Sequence, residues 1–277
     1  MGKIIAVTSG KGGVGKTMST INMALAAVKS GAKVLIVDGD LGLSNVDVVM
    51  GLEVKGTLKD VLEGHASISD IVSQTKIGVD VISSGTGIAR LANMSPVSRS
   101  FLVHELSRLP DLYDYVFIDT GAGISESVLS LNSVSDIFVV ITTPEPHSIT
   151  DAYAMIKVMA EEHDRHECAL VINQTINKDE GLRIAMRIAD VAKLYCGSTV
   201  HFAGSVETDT NLIRAVLARR VGSDNAMASI CGQGWGQAWC KVLQLINSGN
   251  FSDSSGGLGR VWDAMATPIG ERQFLDP

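Results

Sequence analysis

The sequence predicts an α/β protein with a doubly wound, mostly parallel sheet and helices on both faces of that sheet. Its 277 residues fit one large domain with a sizeable core. Its Val/Ile-rich runs are continuous rather than alternating, which is typical of strands buried on both faces. Segments whose apolar residues have helical spacing separate these runs. Such repeated strand–helix units favour a parallel sheet.

The predicted elements follow one another along the chain. Seven strands are expected, at residues 4–8, 33–38, 79–83, 115–119, 137–142, 169–173 and 200–205. Six helices are expected, at residues 16–30, 96–108, 125–131, 148–162, 180–195 and 210–219. Ser95 and Pro96 mark a helix start, because serine caps helices and proline suits the first helical position.

The end of the chain has a different composition. We expect one domain over residues 1–247, a Ser/Gly-rich linker over 248–257 and a tail over 258–277. In the tail, apolar residues at helical spacing predict a short amphipathic helix, with the stripe Leu258, Val261, Trp262 and Met265. This helix either lies on a membrane surface or docks on its own domain.

Composition narrows the functional classes. Lys plus Arg is 23 and Asp plus Glu is 30, so the net charge of −7 argues against a protein that coats nucleic acid. The four cysteines form no C-x-x-C pair, which argues against a thiol redox motif and against a ribbon-type zinc site. The chain has no signal peptide and no apolar run near the ~18 residues of a membrane span. We therefore expect a cytoplasmic protein.

The strongest local signal is GKGGVGKT, from Gly10 to Thr17, between a predicted strand and a predicted helix. It matches the phosphate-loop pattern G-x-x-x-x-G-K-[ST]. Its glycines let several N–H groups face one anion, and the helix N-terminus adds its positive dipole end. Lys16 would reach the β- and γ-phosphates, and the Thr17 hydroxyl would bind Mg²⁺. The predicted nucleotide-binding residues of this loop are Gly10, Lys11, Gly12, Gly13, Val14, Gly15, Lys16, Thr17 and Met18.

Polar residues outside the loop extend this site. Asp38, Asp40 and Asp119 lie at the ends of predicted strands, where carboxylates face the ligand crevice of an α/β sheet. Lys11 is a second lysine that a simple phosphate loop does not need. It is either a solvated surface lysine or a cation that completes a charge cage around the γ-phosphate, from across a dimer.

Four segments carry a family resemblance. GKGGVGKT with its early Lys11 resembles the deviant Walker A motif of the MinD/ParA ATPases. VDGDLGLSNVDVVMGL resembles the switch I region of that family, and YVFIDTGAGIS resembles its Walker B strand and switch II. With TTPEPHSITDAYAMIK, these segments are more similar to the flagellar-number regulators, the FlhG (FleN) branch, than to MinD itself. The resemblance covers about residues 1–220.

The resemblance implies a role for each residue. Lys11, Lys16 and Asp40 would be catalytic, with Asp40 orienting the attacking water. Thr17, Asp38, Asp40 and Asp119 would form the magnesium site, and Asn173 would bind adenine, so that ATP and Mg²⁺ are the expected cofactors. Glu145 and Asp151 would lie near a dimer face. Residues 222–240 show no pattern of the family.

The resemblance also implies a function. The chain would be an ATP-dependent homodimer that hydrolyses ATP slowly, is stimulated by partners and acts peripherally at the inner face of the cell membrane. It would regulate flagellar number and placement, with the GTPase FlhF, switch-complex proteins or a flagellar transcription regulator as partners. The alternative is a ParA-type DNA-partitioning ATPase, for which Arg214, Arg219 and Arg220 are a small basic cluster. An iron–sulfur relative is improbable because no cysteine precedes Cys168.

Overall fold

The structure is a computed structural model that describes residues 2–40, 46–57, 60–61, 63–83, 112–209 and 230–248. Its strands are β1 Lys3–Ser9, β2 Val34–Gly39, β3 Ser73–Gln74, β4 Val79–Ile82, β5 Tyr115–Ala122, β6 Ile137–Thr142, β7 Glu167–Thr175 and β8 Thr199–Glu207. Its helices are α1 Lys16–Lys29, α2 Val46–Met50, α3 Ile68–Ile71, α4 Glu126–Val134, α5 Pro146–His163, α6 Lys178–Cys196 and α7 Ile230–Asn247.

The strands form an eight-stranded sheet in the order β3-β4-β2-β5-β1-β6-β7-β8. Every neighbouring pair is parallel except β3 and β4, which are antiparallel. β2 and β6 are buried along their whole lengths, as the continuous apolar runs predict. The predicted sheet is therefore confirmed.

The two faces of the sheet are covered by different helices. α1 and α7 pack on one face, and α4, α5 and α6 pack on the other. β5 and β2 lie on one side of β1 and β6 lies on the other, so the winding reverses at β1. α/β sheets bind ligands outside the carboxyl end of the strand where this reversal occurs. The loop after β1 is placed at that point.

Helix α7 is an element that the sequence analysis did not predict. Trp235 and Trp239 on this helix are buried, and the Trp239 ring lies 4.8 Å from Tyr115 and 5.4 Å from Phe117, measured between centroids. Three glycines lower the helix propensity of its first half, and tertiary packing overrides that preference. At Gly234 a Cβ would come within 3.3 Å of the Ser205 carbonyl oxygen, so glycine lets α7 lie close on β8.

The other differences are small. α5 begins at Pro146, two residues before its predicted start, because proline occupies the first helical turn. The short elements β3, α2 and α3 were not predicted. The helices expected at 96–108 and 210–219, and the tail helix, lie outside the described residues, so the division at residue 247 stays a prediction. In the described ranges, no helix has the length and apolar character that a membrane span needs.

Candidate functional site

The loop between β1 and α1 has a backbone that requires glycine at several positions. Gly13 and Gly15 have φ angles of +80° and +87°, a left-handed conformation that side chains disfavour. A Cβ on Gly10 would lie 2.1 Å from the carbonyl oxygen of Asp151 in α5. A Cβ on Gly15 would lie 2.4 Å from Nδ2 of Asn173 in β7. The loop is thus held between α5 and β7, in a shape that leaves no room for side chains at these points.

Asp119 is the acceptor at the centre of the site. It lies in β5 beside the loop and is only 1% exposed. Its Oδ1 accepts from Lys16 Nζ at 3.2 Å and from Thr20 Oγ1 at 3.1 Å, and its Oδ2 accepts from Thr17 Oγ1 at 2.6 Å. The bond from Thr17 has the short length of a charge-assisted hydrogen bond, and the other two are longer. The structure thus brings together Lys16, Thr17 and Asp119, which the sequence assigned to one site.

The same residues fit a magnesium ion bound with a nucleotide. Mg²⁺ prefers oxygen ligands and keeps several waters, so the Thr17 hydroxyl and the Asp119 carboxylate are a suitable donor set. The Lys16 ammonium already lies against Asp119, so the pocket accommodates positive charge. Among the described residues no group of three His, Cys, Asp or Glu side chains could hold a metal. The ion would therefore depend on phosphate oxygens and water as well.

Asp38 and Asp40 have different surroundings. Asp38 is fully buried, and its two carboxylate oxygens accept from the backbone N–H groups of Asp40 at 3.0 Å and Val46 at 3.2 Å. It thereby holds both ends of the segment that follows β2. Asp40 lies near the end of β5, because its Oδ1 would be 3.9 Å from a Cβ on Gly121. The predicted magnesium roles of both residues stay predictions.

Lys11 pairs with a carboxylate other than Asp119. Its Nζ donates to Oε2 of Glu145 at 2.5 Å, and both side chains are substantially exposed, at 39% and 65%. This hydrogen bond, together with the lysine charge, lowers the pKa of Glu145 below its ordinary value. The carboxylate is therefore ionised at neutral pH, and the contact is lost when the pH falls through that lowered pKa.

Asn173 and Met18, two further predicted nucleotide-binding residues, have protein partners in this structure. Asn173 donates from Nδ2 to the Val14 carbonyl oxygen at 2.8 Å, which braces the loop against β7. Its predicted role in binding adenine stays a prediction. Met18 lies in the first turn of α1 and packs against the main core. Its predicted role in nucleotide binding also stays a prediction.

Thr20 is a site residue that the sequence analysis missed. It is fully buried, and its hydroxyl lies 3.1 Å from both Asp119 Oδ1 and the Lys16 carbonyl oxygen. Its spacing was an available signal, because residues three and four apart share a helix face. Thr20 therefore follows Lys16 and Thr17 on the face that meets Asp119.

Comparison with known proteins finds a matching family and similar bacterial proteins. The sequence model of a family described as an AAA domain matches residues 2–172. The antiactivator FleN of Pseudomonas aeruginosa is 34% identical over 218 residues, covering 79% of this chain and 78% of FleN. The flagellum site-determining protein YlxH of Helicobacter pylori is 36% identical over 221 residues, covering 79% of this chain and 74% of YlxH.

A solved structure shows the same architecture with a bound nucleotide. The septum site-determining protein MinD of Pyrococcus horikoshii, complexed with Mg-ADP, superimposes with a TM-score of 0.68 at 25% identity. The match covers 88% of this chain and 97% of that one.

Proposed function

The chain belongs to the MinD/ParA family of P-loop ATPases, and on this premise we propose that it is an ATP-dependent dimerising switch that regulates flagellar number and placement at the membrane. It binds a nucleotide with Mg²⁺ and hydrolyses ATP to ADP and phosphate. The dimer, the slow and partner-stimulated turnover and the membrane association are the proposed parts.

The contrast between the two lysines of the loop carries the proposal. Lys16 lies 3.2 Å from the buried Asp119, inside its own site. Lys11 lies at the exposed edge and pairs with Glu145, also exposed. An exposed lysine at this edge is free to leave Glu145 and meet a nucleotide held by a second copy. Such a cation would stabilise charge that develops on the γ-phosphate, as an arginine finger does.

The other residues have distinct parts in this proposal. The loop N–H groups and Lys16 bind the phosphates, and Thr17 and Asp119 would hold Mg²⁺, which neutralises phosphate charge. Asp40 orients the attacking water beside switch II, and Asn173 faces the adenine. Asp38 holds the backbone N–H groups of Asp40 and Val46 through its two hydrogen bonds. A change at the γ-phosphate would then move the two segments that resemble switch I and switch II of the family.

The flagellar role is supported by the relatives. FleN is named an antiactivator and YlxH a flagellum site-determining protein, and both align over more than three quarters of this chain. We infer that this chain likewise acts on flagellar assembly. Candidate partners are a flagellar transcription regulator, the GTPase FlhF and proteins of the flagellar switch complex. The tail stripe from Leu258 to Met265 would attach the dimer to the inner face of the membrane.

Trapping the dimer tests the proposal. Asp40→Ala is expected to bind ATP without hydrolysing it, so that with Mg²⁺ it runs as a dimer in sedimentation and pellets with phosphatidylglycerol vesicles. Asp40→Ala with Lys11→Ala is the matched control and should stay monomeric. A variant lacking residues 248–277 should dimerise and remain unpelleted. A monomer under all conditions would contradict the switch, and pelleting without the tail would contradict the anchor.

A DNA-binding assay distinguishes the ParA-type alternative from the flagellar interpretation. The ParA-type interpretation predicts that the trapped Asp40→Ala dimer shifts non-specific duplex DNA in a salt-sensitive manner. The flagellar interpretation predicts no shift at physiological ionic strength. The cluster Arg214, Arg219 and Arg220 lies outside the described residues. Its substitution to Glu would be needed only if a shift were seen.

A further inference from the structure

Helix α6 exposes an unusual amount of apolar surface. Of the ten large apolar side chains that are well exposed in the described ranges, six lie between residues 176 and 195: Ile176, Leu182, Met186, Val191, Leu194 and Tyr195. Leu194 and Tyr195 are 74% and 69% exposed. Leu194 and Tyr195 follow Val191 by three and four residues, so these three side chains share one side of α6. Exposed apolar side chains that adjoin one another mark an interaction site.

A groove lies beside this surface. It has a volume of about 520 Å³ between α5 and α6, and its walls are apolar side chains including Ile149, Tyr153, Ile184 and Val191. Pro144 and Pro146, at the start of α5, also line the groove. A groove of this shape between two helices suits the apolar side chains of a third helix, spaced three or four residues apart.

The charge of the groove indicates what that helix carries. Arg187 is the one charged residue among the lining residues, and Arg183 is exposed one turn earlier on α6. From Arg183 to Lys193 the helix has three cations and one carboxylate, although the whole chain has a net charge of −7. Positive patches at interfaces select negatively charged partners.

We propose that this α5/α6 groove binds an amphipathic, acidic helix of a partner protein. Leucine-like side chains fill the groove, and carboxylates on the flank of the helix pair with Arg187 and Arg183. A second copy of the chain fits this groove less well. In a two-fold contact, each copy would present Arg183 and Arg187 to the same two arginines of the other copy.

The groove is placed next to the proposed switch. Pro144 and Pro146 flank Glu145, the residue that holds Lys11. A partner in the groove therefore contacts the segment that keeps Lys11 at the surface. The inference names a partner surface for the proposed function and rests on that function only for its biological role, since the binding itself needs no nucleotide.

Peptide binding to the full-length, nucleotide-free protein tests the inference. The probe is a fluorescein-labelled synthetic helix with leucines on one face and glutamates on its flanks, compared with the same helix carrying lysines instead. Fluorescence anisotropy should show that the glutamate peptide binds at least roughly tenfold more tightly. Arg187→Glu should lower its affinity roughly tenfold or more. Lys193→Glu makes the same charge change on the same helix outside the groove lining, and it should lower the affinity by less than about threefold.

Four outcomes would overturn the inference. Equal binding of both peptides, or equal losses in the two variants, would show that no charged groove is involved. Binding to phosphatidylglycerol vesicles that requires Arg187, without peptide binding, would assign the face to a membrane. Nucleotide-free self-association that Arg187→Glu abolishes would assign the face to a second copy. The peptide assay contains no ATP, so its result does not depend on whether Asp40→Ala traps a dimer.

Discussion

At the residue scale, the site depends on how one buried carboxylate is held. Asp119 accepts from three side chains of α1, and one of them, Thr20, has no place in the phosphate-loop pattern. The hydroxyl of the fully buried Thr20 donates to Oδ1, while that of the partly exposed Thr17 donates to Oδ2. Residues that orient a metal-binding group in this way affect metal affinity nearly as much as the ligands do.

Replacing Thr20 tests this role. Thr20→Val keeps the shape but removes the donor, so the Mg²⁺ concentration that half-saturates ATP hydrolysis should rise by about tenfold or more. Thr20→Ser keeps the hydroxyl and should restore the dependence of the wild type. The thermal midpoint of each nucleotide-free variant reports any loss of folding. If the valine and serine variants share the Mg²⁺ dependence of the wild type, Thr20 only packs.

At the element scale, α4 and α5 are joined by an arginine. The Arg165 guanidinium follows α5 and donates to the carbonyl oxygens of Ser133 at 2.7 Å, Ser135 at 2.9 Å and Asp136 at 3.3 Å. These carbonyls lie at the end of α4, where a helix has no partners of its own for its last C=O groups. The guanidinium also lies over the Phe138 ring, 5.9 Å from its centroid. Burial lowers the pKa of Arg165, and the nearby Asp136 opposes that change.

Removing this guanidinium should be costly. Arg165→Met leaves three carbonyls without their donor and should lower the free energy of unfolding by about 2–4 kcal/mol. Urea denaturation measures this change. Lys157→Met is the matched control, because Lys157 forms an exposed pair with Glu161 at 3.7 Å, and its loss should change stability by less than about 1 kcal/mol. Equally small losses of stability in the two variants would mean that water donates to the α4 carbonyl oxygens in place of Arg165.

At the scale of the whole molecule, α7 ties the end of the described chain to the first half of the sheet. Trp239 on this helix packs against Tyr115 and Phe117 of β5, while the helix itself lies on α1 and β8. Elements far apart in sequence thus share one core, which also contains Val14 of the phosphate loop. Stability of the site and stability of the fold are therefore coupled.

Truncating Trp239 tests that coupling. Trp239→Ala should lower the free energy of unfolding by about 3–5 kcal/mol, as large-to-small core substitutions do, and should lower ATP affinity in parallel. Chemical denaturation and nucleotide titration measure the two effects. Gln233→Ala, on the exposed side of the same helix, is the control and should leave both within error. A stable Trp239→Ala protein would show that α7 is peripheral to the core.

The sequence by itself determined the sheet and the phosphate loop. Continuous Val/Ile runs specify buried parallel strands because only such strands are apolar on both faces. Gly10–Thr17 specifies its loop because glycine alone adopts the required backbone angles and the close approach to α5. Asp119 was predictable for a similar reason, since strand ends in an α/β sheet meet at one edge.

Only the tertiary structure decided which partner each polar group has. Asp38 and Asp40 are two residues apart, yet one holds backbone N–H groups and the other lies near Gly121. Lys11 pairs with Glu145 across 134 residues of sequence. The α7 helix forms despite its glycines because burial of its tryptophans outweighs local propensity. Such contacts depend on distances between remote segments, which no local pattern of residue types encodes.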